Sequence, residues 1–121
     1  MRYIALIYAN EADRPQPGTP ASEKMMKDYF DYSDAVVKAG VFKAGDALLP
    51  TPTATTVRAR DGKTLTTDGP FAETKEQLGG FYVLDCKDLD EAISWAAKIP
   101  DARTGSIEVR PLMEFPEYQP S

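Results

Sequence analysis

The sequence predicts an α+β fold built on an antiparallel sheet, with two strand–helix–strand units separated by a hairpin. Three observations carry this. Apolar residues recur at helical spacing in two segments. Four further segments are short, apolar and rich in aromatic or β-branched residues, as strands are. An Asp61-Gly62 pair sits between two Thr-rich runs, the local signature of a two-residue hairpin turn.

Taken in order, Arg2 to Tyr8 reads as a strand with two apolar or aromatic faces, Tyr3/Ala5/Ile7 and Ile4/Leu6/Tyr8. Such a strand is predicted to be covered on both sides. Asn10 to Thr19 is polar and rich in Pro and Gly, hence a loop long enough to act as a functional flap. Pro20 suits the first position of a helix, with Thr19 as N-cap and Glu23 complementing the dipole. Met25, Tyr29, Tyr32, Val36 and Ala39 form its apolar stripe, and Gly40 supplies the stop. Val41 to Leu49 reads as a second strand, interrupted by Pro50 and Pro52. Thr55 to Arg60 and Lys63 to Thr67 form the hairpin, and Phe81 to Cys86 is a strongly apolar strand. Asp88 caps a second helix, with Glu91 completing a capping-box pattern, and Pro100 ends it. Ser106 to Leu112 alternates as a last strand, and Met113 to Ser121 is predicted to be extended.

This order is the split βαβ, or ferredoxin-like, βαββαβ plan with an inserted hairpin. Right-handed crossovers place both helices on one sheet face and leave the other open. Because the first strand and Phe81 to Leu84 are apolar on both sides, that open face predicts a homodimer in which two sheets enclose a shared interior. Crevices where the sheets splay apart are candidate small-molecule pockets.

Composition narrows the class. A length of 121 residues allows one domain over residues 1–121, and 42% hydrophobic with 27% charged residues excludes a disordered chain. The net charge of -5, without a Lys/Arg cluster, excludes a nucleic-acid footprint and adhesion to anionic lipid. No apolar run reaches the length of a membrane span or of a secretory signal, so a cytoplasmic location is expected. Cys86 is the single cysteine and reads as a small buried hydrophobe. With one Cys and no His, a zinc site is not expected, and Asp88, Asp90 and Glu91 read as helix capping rather than a cation site. No dinucleotide or phosphate-cradling motif occurs, so neither metal nor cofactor is predicted. Trp95 is expected in the core or at an interface.

The distinctive stretch is DGPFAETKEQLGG, Asp68 to Gly80. Gly69 before Pro70 predicts a tight turn, and Thr74 to Gln77 a single helical turn. Gly79-Gly80 predicts positive φ or a close approach ahead of the next strand. Asp68, Glu73, Lys75 and Glu76 crowd around Phe71, a grouping able to hold a small anion or move a proton. Turn chemistry explains each residue separately as well: a charged run is ordinarily a solvated face, and Gly-Gly commonly marks a bulge.

The run DGPFAETKEQLGGFYVL resembles the signature of DGPF-domain proteins, a branch of the YCII-related superfamily. DLDEAISWAAKIP, GSIEVRPL and the opening MRYIALIYAN resemble the same family's second helix, last strand and first strand. The resemblance implies a dimeric α/β-barrel of ferredoxin-like subunits. It also implies small-molecule chemistry, since some relatives act as dehydrochlorinases or lyase-like enzymes, and a link to sigma factors through gene neighbourhood. The His–Asp pair that serves acid–base chemistry in some relatives cannot exist here, because the chain has no histidine.

Two readings of function stand. In the first, a lyase- or isomerase-like enzyme works between the sheet and the flap. Asp68 is its acid or base, Lys75 binds an anionic substrate or stabilises an enolate-like charge, and Tyr8 orients it. Phe71, Glu73, Gly79, Gly80 and Tyr82 line the pocket. In the second, the homodimer senses a ligand or engages a protein partner without catalysis.

Overall fold

The computed structural model describes residues 1–116. The predicted order is present: β1 Arg2–Ala9, α1 Pro20–Lys38, β2 Phe42–Ala47, the hairpin β3 Thr55–Arg60 and β4 Lys63–Asp68, β5 Gln77–Asp85, α2 Leu89–Ala96 and β6 Ser106–Pro111. The four-stranded antiparallel sheet runs β2-β5-β1-β6, with β3 and β4 as a separate ribbon. With the ribbon set aside, this is the 4-1-3-2 strand order of a ferredoxin-like fold.

Local chemistry accounts for the element ends. The Thr19 hydroxyl accepts from the Ser22 amide at 3.2 Å and Pro20 opens the helix, satisfying donors that the first turn leaves free. The Asp88 carboxylate accepts from the Glu91 amide while the Glu91 carboxylate accepts from the Lys87 amide, both at 2.9 Å. Asp61 and Gly62 both have positive φ, as a type I′ hairpin turn demands.

The alternation of β1 decides where the core sits. Tyr3, Ala5, Ile7 and Ala9 are buried, and the first three, with Tyr82 and Leu84 of β5, pack beneath Tyr32 and Val36 of α1 and Ala92 of α2. Tyr32 stacks edge-on against Tyr82 at 5.0 Å and donates its hydroxyl to the Trp95 carbonyl at 3.0 Å, so a large ring is buried without an unpaired oxygen. Trp95 packs at the margin of this core, with the Lys98 ammonium 4.8 Å from its ring centroid. Cys86 is fully buried, which raises its thiol pKa to about 11, assisted by the Glu91 carboxylate.

On the helix-free face lie Ile4, Leu6 and Tyr8, with Val83 opposite Ile4 and Phe81 opposite Leu6. These five side chains are neither fully buried nor fully exposed. On β6 the same face carries Arg110 and Glu108 opposite Ile4 and Leu6.

Several boundaries differ from the sequence reading, each for a physical reason. Gln77 is already in β5, so Thr74 to Gln77 is not a helical turn but a bend. The Gln77 amide side chain turns back to donate to the Thr74 carbonyl at 2.6 Å. Gly79 and Gly80 do not have positive φ; Gly69 does, at +98°. The register between β1 and β5 skips at Gly79, which makes it the extra residue of a β-bulge. An added Cβ on Gly80 would come within 2.8 Å of the Asp46 carbonyl oxygen, so the close approach is that of β2. β2 is shorter than Val41 to Leu49, and Thr51–Thr53 form a single 3-10 turn after it. The flap holds another 3-10 turn, Glu11–Asp13, and Pro100 opens a third at Pro100–Arg103 rather than closing α2. Within the predicted tail, residues 117–121 lie outside the described residues.

Candidate functional site

The signature segment divides into two halves of different character. At its start Asp68 closes β4 opposite Thr55, and the Gly69 amide donates to the Ala54 carbonyl at 2.7 Å. The Thr56 hydroxyl donates to the Gly69 carbonyl at 2.8 Å, so the turn is stapled to the hairpin. Beyond it, Phe71 is 79% exposed, and Glu73 and Lys75 are exposed as well. Asp68, Glu73 and Lys75 make no hydrogen bond or ion pair among the described residues. Within one chain, these charges do not converge on a pocket.

The second half is tied down. Glu76 accepts from the Ser106 hydroxyl at 2.8 Å, and Gln77 accepts from the Glu11 amide at 2.9 Å. The segment thus ends at the same end of the sheet as the flap and the start of β6. The two tyrosines proposed as pocket residues lie on opposite faces. Tyr8 stands half-buried on the helix-free side, whereas Tyr82 is in the helix-side core with its hydroxyl 2.8 Å from that of Ser33.

A polar cluster that the sequence reading missed lies beneath the flap. Asp101 is the one buried charged side chain among the described residues, 3% exposed. Its Oδ2 accepts from the Tyr29 hydroxyl at 2.5 Å and from Arg14 Nη2 at 3.1 Å. The second Arg14 nitrogen, Nη1, points to the Met25 sulfur at 3.1 Å. Burial and the adjoining Asp101 carboxylate push the Tyr29 hydroxyl pKa well above its usual range, so it stays a proton donor. The tip of Arg14 passes close to Gly79, where an added Cβ would lie 3.2 Å from Nη2 and the guanidinium would have to give by a few tenths of an ångström. Beside the cluster is a small cavity of about 60 Å³, bordered by Asn10, Asp13, Arg14, Met25, Asp101 and Thr104. That is room for roughly two water molecules. Nothing in the sequence joins positions 14, 29 and 101; only Asp101, acidic between Pro100 and an apolar strand, offered a faint signal.

A larger groove of about 450 Å³ opens between α2 and β6, walled by Leu89, Ile93, Ala97, Ile107 and Val109. It presents apolar side chains without the convergent polar groups that orient a substrate. No group of His, Cys, Asp and Glu able to hold a metal occurs among the described residues. No described helix is long and apolar enough to cross a membrane.

Comparison with known proteins places this arrangement. An uncharacterised protein of Rhizobium meliloti (strain 1021) is 43% identical over 114 residues, 93% of this chain and 92% of that protein. Among solved structures, the 5-chloro-2-hydroxyhydroquinone dehydrochlorinase of Burkholderia phenoliruptrix AC1100, in complex with 2,5-dihydroxybenzoquinone, superposes with a TM-score of 0.54. The two are 12% identical, and the similarity spans 98% of this chain and 100% of the dehydrochlorinase chain. At that identity the likeness shows a shared ferredoxin-like fold. The YCII-related domain matches residues 1–116, and with a helix-backed antiparallel sheet of that same fold, the chain belongs to the YCII-related family.

Proposed function

We propose that the protein works as a homodimer whose sheets meet through their helix-free faces, and that a small molecule binds at this seam beside the Asp68 to Gly80 segment. The observation that carries this reading is the free face itself. Ile4, Leu6, Phe81 and Val83 lie in register there, half-exposed, with no helix over them. Contiguous apolar surface of this kind marks an interaction site, and covering it contributes about 25 cal/mol per Å².

In this reading Asp68 acts as the acid or base, Lys75 takes the anionic end of the ligand and Tyr8 orients it, with Phe71, Glu73 and Gly79 at the rim. That the Asp68 and Lys75 side chains have no hydrogen-bond or ion-pair partner among the described residues supports the assignment, because such groups are available to meet a ligand. Gly80 and Tyr82 serve as scaffold instead, one against β2 and the other in the core. The chemistry is proton transfer of lyase or isomerase type. The quinone bound by the dehydrochlorinase makes 2,5-dihydroxybenzoquinone a first probe.

The test compares wild type with Asp68→Asn and Lys75→Met by sedimentation and by binding and turnover of that quinone and of small unsaturated carboxylates. All three proteins should be dimers, with binding or turnover at least tenfold weaker in the variants. A monomer at tens of micromolar, or variants that bind as wild type does, would sink the proposal. A second reading is favoured by the missing histidine and the absence of convergence within one chain: a non-catalytic dimer that senses a ligand or engages a protein partner such as a sigma factor. Binding without turnover would select it.

A further inference from the structure

We infer that residues 10–18 form a latched lid, opening as a unit to uncover the Asp101 carboxylate and the Tyr29 hydroxyl. Most of the segment's backbone hydrogen bonds are internal: Asp13 donates to Asn10, Arg14 to Glu11 and Thr19 to Gln16. The Asn10 side chain caps the same short turn by accepting from the Ala12 amide at 2.9 Å. The segment is thus a preformed piece. Among the described residues, the hydrogen bonds and ion pairs that hold it to the body run through few side chains. Glu11 accepts from both the Thr51 amide at 2.8 Å and the Thr51 hydroxyl at 2.6 Å, and its own amide donates to Gln77. Arg14 reaches Asp101 and Met25.

The C-terminal end of the segment suits a hinge. Gly18 has φ +81° with open space around it, and Pro15 and Pro17 stiffen the chain just before it. Motion is therefore confined to few positions, and the two latches respond to different changes in their partners: Glu11 on the loop after β2, Arg14 on the turn before β6. Opening would carry Arg14 away and leave a carboxylate and a phenol accessible beside Met25 and Ala9. The inference stands apart from the seam proposed above, since neither a ligand nor a dimer enters its test.

Hydrogen–deuterium exchange resolved to single amides tests it. In the wild type, the Glu11 and Thr51 amides, whose acceptors lie across the latch, should exchange with a common opening rate, faster than those of β1 and β5. Arg14→Ala should raise that rate at least tenfold and leave the strand amides unchanged. Glu11→Gln, which weakens the other latch and keeps the side chain's size, should do the same to a smaller degree. Unequal rates at Glu11 and Thr51, unchanged protection of both in Glu11→Gln, or acceleration spread evenly over β1 and β5 would each overturn the lid.

Discussion

The exposed half of the signature segment and the buried cluster beneath the flap are both rich in ionisable groups, but they are built in opposite ways. Asp68, Glu73 and Lys75 fall within eight residues of one another and face solvent. Arg14, Tyr29 and Asp101 come from three distant parts of the chain and share one carboxylate oxygen. Local density of charge thus marks a surface here, whereas a charge removed from water must be surrounded by partners that only the fold can bring. The contrast predicts where substitution affects folding and where it affects function.

The largest effect should come from Gly105. Its amide donates to the Asp101 carbonyl at 2.7 Å, and an added Cβ would collide with the Tyr8 carbonyl oxygen. Two backbones would have to separate, so Gly105→Ala should cost about 3 kcal/mol or prevent folding. Denaturant unfolding measures it. A change within 0.5 kcal/mol would show that this corner of the fold is slack and that the cluster is not held rigidly.

Next comes Asp101→Asn. It keeps the shape but removes the charge that Arg14 and Tyr29 share, and Arg14 is about a third exposed, so water relieves part of the loss. A cost of about 2 kcal/mol is expected, below that of a fully buried pair. A double-mutant cycle with Arg14→Ala should show coupling of about 1 kcal/mol or more. Additivity would mean that the two residues are neighbours without being partners.

The sequence was legible wherever one local rule decided the outcome. Thr19-Pro20 and Asp88 with Glu91 announced two helix starts, and Asp61-Gly62 announced the hairpin, because caps and turns are satisfied by residues a few positions apart. Strand order followed from the pattern of elements. Gly79 and Gly80 were readable as a bulge or a close approach, but choosing between these required β1 and β2, which lie far away in the chain. The Arg14–Asp101–Tyr29 cluster was not legible at all, since burial of Asp101 depends on how the Pro100–Arg103 turn meets α1 and the flap.

A smaller effect separates the buried tyrosines from the rest. Tyr29→Phe removes one charge-assisted hydrogen bond and should cost about 1.5 kcal/mol near neutral pH. It should also alter the alkaline limb of stability. Tyr29, Tyr32 and Cys86 all hold their protons more tightly when folded, through burial above all. Below the unfolded-chain values, about 8.5 for Cys and about 10 for Tyr, both states are protonated and the full contribution is present. Above them the unfolded chain ionises first, so stability falls with rising pH: for Cys86 up to about 11, for the tyrosines from about 10 upward. Urea unfolding of Tyr29→Phe between pH 8 and 11 should show a shallower decline than wild type. Parallel declines would mean that Tyr29 ionises as freely in the folded state as in the unfolded one.

The smallest effect on stability is the one most informative about function. Lys75→Met and Asp68→Asn remove exposed charges that have no partner among the described residues, so each should change unfolding free energy by less than about 0.5 kcal/mol. Measured alone, that outcome is what any solvated surface gives. Measured with binding, it divides the two regions cleanly. If the signature charges face a ligand at the dimer seam, these variants lose affinity tenfold or more at unchanged stability, whereas Tyr29→Phe loses stability and keeps affinity. If the charges instead stabilise the dimer, the loss appears in sedimentation and in the concentration dependence of melting. And if neither binding nor assembly moves, the charged part of this stretch is a solvated loop, and its meaning is structural: the Gly79 bulge and the close approach of Gly80 to β2.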